Sequence, residues 1–384
     1  MTGALSPGAL GQRLDEALAE RRESNRVFFE AEAERLARLC RQMADRFAAG
    51  GRLLAFGDTP GARSDVRHVA VEFVHPVIVG KRALPAVGIE PELVGLLAEP
   101  DDIAIGFGDV RAAMTAARER GCLTIGFAPI GAEHEFEPPS ADPSVRQELA
   151  ETLYHVLWEL VHVFLEHRGS SHDAGASSFL YPFLGEAEDD LDAVLEDVRR
   201  SVLAKAEEVG ELREQTLGEN REELVGAAAA LRERFDRGGR LLALGNGGSA
   251  TDAMDAVADF RRPPDPSWPA RPALDLTEDP AILTAIANDI GVDAIFSRQV
   301  IAHGRAGDAL LALSTSGDSR NVIAALAEAR RRGLVTIAMV GYDGGRVASE
   351  RLADHVVVTR SEHVPRIQEA QAGAYHLLRE LVEL

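Results

Sequence analysis

Hydrophobic and polar positions follow one order along the chain, and that order occurs twice. In each half a long, charged helical pattern comes first, at about 8–48 and 188–237. An apolar run ending in glycine follows, then a helix, a short strand, a strand, a helix, a strand and a closing helix. The short apolar runs, such as Leu53 to Phe56 and Ala309 to Leu313, have no polar face. Strands of that kind alternating with helices imply a parallel sheet covered on both sides. The expected fold class is therefore α/β, with two doubly wound parallel-sheet domains in tandem, each with N-terminal helices.

The residues repeat as well as the pattern. Gly50-Gly51-Arg52-Leu53-Leu54-Ala55 returns 188 residues later as Gly238-Gly239-Arg240-Leu241-Leu242-Ala243. Gln147-Glu148, Tyr154-His155 and Glu159-Leu160-Val161 return as Gln368-Glu369, Tyr375-His376 and Glu380-Leu381-Val382. These matches set expected domains at 1–167 and 188–384, with a linker at 168–187. The linker is rich in Gly and Ser and carries one apolar patch, Phe179 to Leu184, which either docks on a domain surface or rides on a tether.

Charge narrows the partners. The 384 residues hold 41 Lys and Arg against 62 Asp and Glu, a net of −21, so the overall field repels a polyanion and excludes nonspecific nucleic-acid binding. A small phosphorylated ligand stays allowed, because a few backbone N–H groups in one loop can hold a phosphate. The two cysteines, Cys40 and Cys122, form no C-x-x-C pair, which fits a reducing cytoplasm. No basic and apolar leader and no apolar run of membrane-spanning length occurs, so a soluble, cytoplasmic protein with no membrane partner is expected.

The candidate chemistry begins in the second half. Gly245-Asn246-Gly247-Gly248-Ser249 follows one predicted strand and opens a helix, and Ser314-Thr315-Ser316-Gly317-Asp318-Ser319 does the same after the next buried strand. In an open parallel sheet, ligands sit beyond the carboxyl ends of the strands, so two such loops can converge on one phosphate. A dinucleotide site fits poorly, for want of the third glycine and of an acidic residue ending a second strand, and Gly-Lys-Ser/Thr is absent. No nucleotide cofactor is expected.

The second half resembles the sugar isomerase (SIS) domain, specifically the sedoheptulose 7-phosphate isomerase (phosphoheptose isomerase) family. The matching stretches are Gly245 to Asp252, Leu283 to Asp289, Ile295 to Val300, Ser314 to Ser319 and Arg366-Ile367-Gln368-Glu369. The first half looks like a degenerate copy. The resemblance implies an aldose-ketose isomerase whose sites lie between subunits and often hold zinc. It assigns sugar and phosphate binding to Asn246, Gly247, Gly248, Ser249, Asp289, Ser314, Thr315, Ser316, Ser319 and Gln368. Asp259 becomes the candidate base, His376 the candidate acid, and Asp255, Asp259, Gln368 and His376 the candidate metal set. The family has His and Glu where this chain has Asp255 and Asp259.

The first half departs in the opposite sense. It keeps the family's His, Glu, Gln and His as His68, Glu72, Gln147 and His155, which read either as a second metal site or as inherited, satisfied polar groups. Its phosphate loops are lost: Gly57-Asp58-Thr59-Pro60-Gly61 and Gly108-Asp109 stand in their places. His162, His167 and His172, five residues apart, read as a solvated domain end. Complementary losses suggest a homodimer forming a four-domain assembly, in which a phosphate-gripping half borrows groups from a metal-holding half. A non-catalytic sugar-phosphate sensor or scaffold that binds a partner protein is the alternative function.

Overall fold

The computed structural model describes residues 7–77, 81–169 and 191–384. Its helices are α1 (Pro7–Ala48), α2 (Pro60–Val74), α3 (Val94–Leu97), α4 (Arg111–Glu119), α5 (Pro143–Gly169), α6 (Leu191–Glu219) and α7 (Arg221–Asp236). They continue as α8 (Gly248–Arg261), α9 (Pro280–Asp289), α10 (Ser297–His303), α11 (Arg320–Arg331), α12 (Gly345–Ser349) and α13 (Val364–Glu383). One five-stranded sheet contains β1 (Leu53–Gly57), β2 (Ala86–Gly88), β3 (Ile103–Phe107), β4 (Leu123–Gly126) and β5 (His134–Glu135). The other contains β6 (Leu241–Leu244), β7 (Ala273–Asp275), β8 (Ala309–Ser314), β9 (Val335–Gly341) and β10 (His355–Thr359).

The strand orders are β2-β1-β3-β4-β5 and β7-β6-β8-β9-β10, and every pairing is parallel. The two sheets thus share one doubly wound topology, as the repeat requires, with the order reversing at β1/β3 and at β6/β8. Strands β1, β3, β8 and β9 are buried along their whole length, which is why they read as unbroken apolar runs. The repeat extends to atoms. The backbone N–H of Arg52 donates to Asp102 Oδ1 at 2.8 Å, and that of Arg240 to Asp308 Oδ1 at 3.1 Å. In both halves the preceding residue must be glycine: a Cβ on Gly51 would lie 2.0 Å from the Asp101 carbonyl oxygen, and one on Gly239 would lie 2.2 Å from that of Gly307.

The chain divides into two compact units, and the division differs from the expected one at two helices. One unit takes the residues up to Arg22, Asp142–Ser144 and Val209–Leu384; the other takes Glu23–Ala141 and Val145–Glu208. Leu14 and Ala17 of α1 belong to the core under β6–β10, together with Leu217, Leu224 and Leu231. Val194, Val198, Val202 and Ala206 of α6 belong to the core under β1–β5, with Phe29, Phe73 and Trp158. Of the expected linker at 168–187, everything after Gly169, including the patch Phe179 to Leu184, lies outside the described residues.

The predicted helix at 188–237 is in fact two, α6 and α7, parted at Asn220. The Asn220 amide donates to the carbonyls of Thr216 (2.7 Å) and Val358 (3.0 Å) and accepts from the Val358 N–H (2.9 Å), binding the break to edge strand β10. Among the described residues, no helix is long and apolar enough to cross a membrane.

Candidate functional site

The two predicted loops follow β6 and β8, neighbours at the point where the strand order reverses. Gly245-Asn246-Gly247 turns the chain from β6 into α8, which opens at Gly248 and Ser249. The Asn246 and Asn321 side-chain amides exchange hydrogen bonds of 3.0 and 2.8 Å, tying this loop to the start of α11. Asn321 is a site residue that the sequence reading missed, since a lone Asn on the first turn of a helix carries no signal of its own. In the second loop the Ser314 and Ser316 hydroxyls accept from the backbone N–H groups of Gly317 and Asp318, both at 3.2 Å. Ser319 stands at the N-cap of α11 without using its hydroxyl to cap, and Thr315 is half-buried. The result is an amide- and hydroxyl-lined mouth over two helix N-termini, suited to an anion.

Further along, α8 carries Asp255 and Asp259 four residues apart, hence on one face. That face meets Tyr375 and His376 of α13. His376 Nε2 lies 3.2 Å from Asp255 Oδ2 and 3.6 Å from Asp259 Oδ2, and the Tyr375 hydroxyl donates to Asp255 Oδ2 at 3.0 Å. Burial and then the Asp255 charge push the Asp259 carboxyl up to about 7, with His376 and Arg379 pulling the other way. Its side chain keeps 18% exposure while that of His376 keeps 1%, so Asp259 is the more accessible of the two. Gln368 is buried on α13, two turns before His376.

Asp289, expected to position the sugar, stands exposed at the end of α9 and accepts from the Asn288 amide at 2.8 Å. The described contacts do not bring it to the carboxylate cluster. A surface depression of about 330 Å³, lined among others by Asp275, Glu278, Asp279 and Gln299, shares no residue with either loop or with that cluster.

Asp255, Asp259 and His376 each offer one ligand atom, and these atoms lie within 4.8 Å of one another. Ligands about 2.0–2.1 Å from a tetrahedral ion are about 3.3 Å from each other. The two His376–carboxylate distances are close to that edge, and the set of one imidazole and two carboxylates suits zinc.

In the first half His68 of α2 and His155 of α5 face each other, Nε2 to Nε2, at 3.3 Å. Glu72 Oε1 is 3.9 Å from His68 Nε2. The Gln147 amide nitrogen donates to Asp65 Oδ1 at 3.0 Å, and its Oε1 is buried with no hydrogen-bond partner among the described residues. The group that joins the two histidines is Glu151, which the sequence reading passed over although it stands one helical turn before His155. Burial, and then the neighbouring His155, hold the His68 imidazole well below its usual range, so it is neutral.

The phosphate loops are indeed gone here. Thr59 uses its hydroxyl to cap α2, accepting from the Ala62 N–H at 3.0 Å, and the Asp58 carboxylate sits against Gly108. His162, expected to be solvated, is instead buried, with Nδ1 2.9 Å from the Trp158 carbonyl oxygen and Nε2 3.1 Å from that of Arg82. The His167 side chain and His172 lie outside the described residues.

Doubly wound parallel sheets of one order, with paired hydroxyl-rich loops at the switch point of the second, define an α/β protein built to hold a small anionic ligand. The SIS domain model matches residues 206–341. The phosphoheptose isomerase of Nitratidesulfovibrio vulgaris (strain DSM 19637 / Miyazaki F) is 39% identical over 188 residues, covering 49% of this chain and 89% of that protein. The phosphoheptose isomerase of Desulfovibrio desulfuricans is 43% identical over 182 residues, covering 47% and 86%. Among solved structures, the C-terminal domain of glucosamine-fructose-6-phosphate aminotransferase from Francisella tularensis aligns with a TM-score of 0.62 at 8% identity. That alignment covers 95% of this chain and 93% of that one, and it shows the fold alone. The chain belongs to the SIS-domain family and is related to the phosphoheptose isomerases.

Proposed function

We propose that the second half binds a phosphorylated sugar such as sedoheptulose 7-phosphate and interconverts its aldose and ketose forms. The observation that carries this reading is the pairing of Asp259 and His376 at 3.6 Å in the one half that keeps both anion loops. The names of the relatives support it. Asn246, Gly247, Gly248, Ser249, Ser314, Thr315, Ser316 and Ser319 would hold the phosphate and the sugar hydroxyls through backbone N–H and hydroxyl groups, because the acidic surface offers no net attraction.

Moving the carbonyl from C1 to C2 needs one proton taken from C2 and returned to C1, and a second taken from the oxygen on C2 and given to that on C1. Asp259, its carboxyl pushed up to about 7 by burial and then by the Asp255 charge, would carry the carbon proton in both directions. His376 would exchange the oxygen protons, with Asp255 and Tyr375 fixing its imidazole. Loaded with zinc, Asp255, Asp259, Gln368 and His376 would hold the ion and act as ligands rather than as proton carriers. Zinc there supplies Lewis-acid polarisation of the carbonyl oxygen.

The test is turnover of sedoheptulose 7-phosphate by wild type and Asp259→Asn, with ligand affinity measured in parallel by calorimetry. Loss of a general base predicts a fall in kcat of about 10²–10⁴-fold with binding kept. Tight binding without turnover in wild type would select the sensor or scaffold instead. Equal turnover by the variant would remove Asp259 from the mechanism.

A further inference from the structure

We propose that the first half carries a divalent transition-metal site of its own, with His68, His155 and Glu151 as protein ligands. One ligand atom from each of the three lies within 4.8 Å of the others, and all three side chains are buried. The 3.3 Å between the two imidazole Nε2 atoms equals the edge of a tetrahedron around an ion that holds nitrogens at about 2.0–2.1 Å. Two imidazoles and one carboxylate form a ligand set that zinc and the neighbouring divalent metals take.

This set is not simply the one the repeat hands down. At the position matching Glu151 the second half has Ala372, so the carboxylate is peculiar to the first half. Gln147, which the repeat supplies, donates its amide nitrogen to Asp65, so only its Oε1 remains to serve as a further ligand. Glu72 Oε1 stands 3.9 Å from His68 Nε2 and is not one of the three groups whose ligand atoms come together within 4.8 Å. Helix geometry explains how α5 offers two ligands at once: Glu151 and His155 are four residues apart and lie on one face, toward α2. The metal would clamp α2 to α5 within the unit built on β1–β5.

The experiment uses the full chain carrying Asp255→Asn and Asp259→Asn, which disables the other cluster and makes the outcome independent of the isomerase reading. The protein is stripped with a chelator and reloaded with Zn²⁺ or Co²⁺. Metal per chain is counted by mass spectrometry, and the visible bands of bound Co²⁺ report its coordination. The expected result is one ion per chain with the intense bands of a four-coordinate site. Adding Glu151→Gln should weaken Zn²⁺ binding by more than the roughly 10–100-fold that loss of an outer partner causes, whereas Glu72→Gln should stay within that range. Should Glu151→Gln fail to fold, His155→Asn and the metal-induced rise in melting temperature make the same test. No ion in the parent, or undiminished Zn²⁺ affinity in Glu151→Gln, overturns the proposal.

Discussion

Arg379 is a buried charge of α13 that donates to the backbone of Asp259. It is 1% exposed, and its guanidinium lies 4.9 Å from the Phe260 ring centroid and 5.0 Å from that of Trp268. It donates to Glu383 at 2.7 Å and to the backbone carbonyls of Asp259 and Pro269 at 3.2 and 3.1 Å. Arg379→Met keeps much of the stem's packing but removes all of these bonds. Breaking a buried ion pair from one side costs about 3–5 kcal/mol. Glu383 keeps Arg271, at 3.1 and 3.0 Å, which favours the lower end of that range, while the two lost ring contacts add back about 1–2 kcal/mol. At about 2–4 °C per kcal/mol for a domain of this size, the melting temperature should fall by roughly 6–20 °C. A second effect is electrostatic. Arg379 pulls the Asp259 carboxyl down against burial and Asp255, so its loss raises that carboxyl further and moves the rising limb of the pH–kcat profile to higher pH. Thermal melting and a pH–rate series on one preparation check both. A melting temperature within about 1 °C of wild type, or a limb displaced to lower pH, refutes the reasoning.

Gly317 has φ +66°, and a Cβ there would lie 2.2 Å from the Gly344 carbonyl oxygen, so Gly317→Ala should displace the Ser314–Ser319 loop; calorimetry should show sugar-phosphate affinity lost while far-ultraviolet circular dichroism is unchanged. Cys122 is pushed up to about 11 by burial and then by the Asp102 charge, and burial raises Cys40 as well, so neither thiol should be alkylated quickly at pH 8 in the folded protein, whereas both should react in urea. Burial alone would raise the Asp102 carboxyl, but hydrogen bonds from Arg52 and from the backbone of Arg52 and Glu99 hold it below its ordinary value. Its stabilising effect is therefore complete above the unfolded value of about 4 and lost as pH falls through the lower folded one. Urea titrations should show Asp102→Asn far less stable than wild type at pH 7, with the gap closing toward pH 3.

The carboxylate cluster and the loops were largely legible in advance because they depend on spacing within single helices and on the residues that leave the end of a strand. Asp255 and Asp259 share a face whatever α8 packs against, and Ser314 to Ser319 must form a loop if Ala309 to Leu313 is a buried strand. His376 was placed by the resemblance and Tyr375 was read only as part of the repeat, since nothing within α13 says which helix it will meet. Glu151 and Asn321 escaped because each gains its meaning from a partner distant in sequence: His68 for the one, Asn246 for the other.

By itself, then, the sequence determined two copies of one parallel α/β unit, the anion loops of the second copy and their loss from the first. Periodicity and repetition are local, and they survive without knowledge of contacts. Tertiary structure decided where the helices belong. The stripe Val194, Val198, Val202 and Ala206 announces a buried helix face, and so do Leu14 and Ala17, but burial of apolar surface is non-directional and carries no address. Only packing assigns the former to the sheet β1–β5 and the latter to β6–β10, each with the core opposite to the one its place in the chain suggests. The same holds for the chemistry. Spacing can set two carboxylates on one helix, but only the packing of α13 on α8 sets an imidazole 3.6 Å from one of them and buries that carboxyl, which raises its pKa.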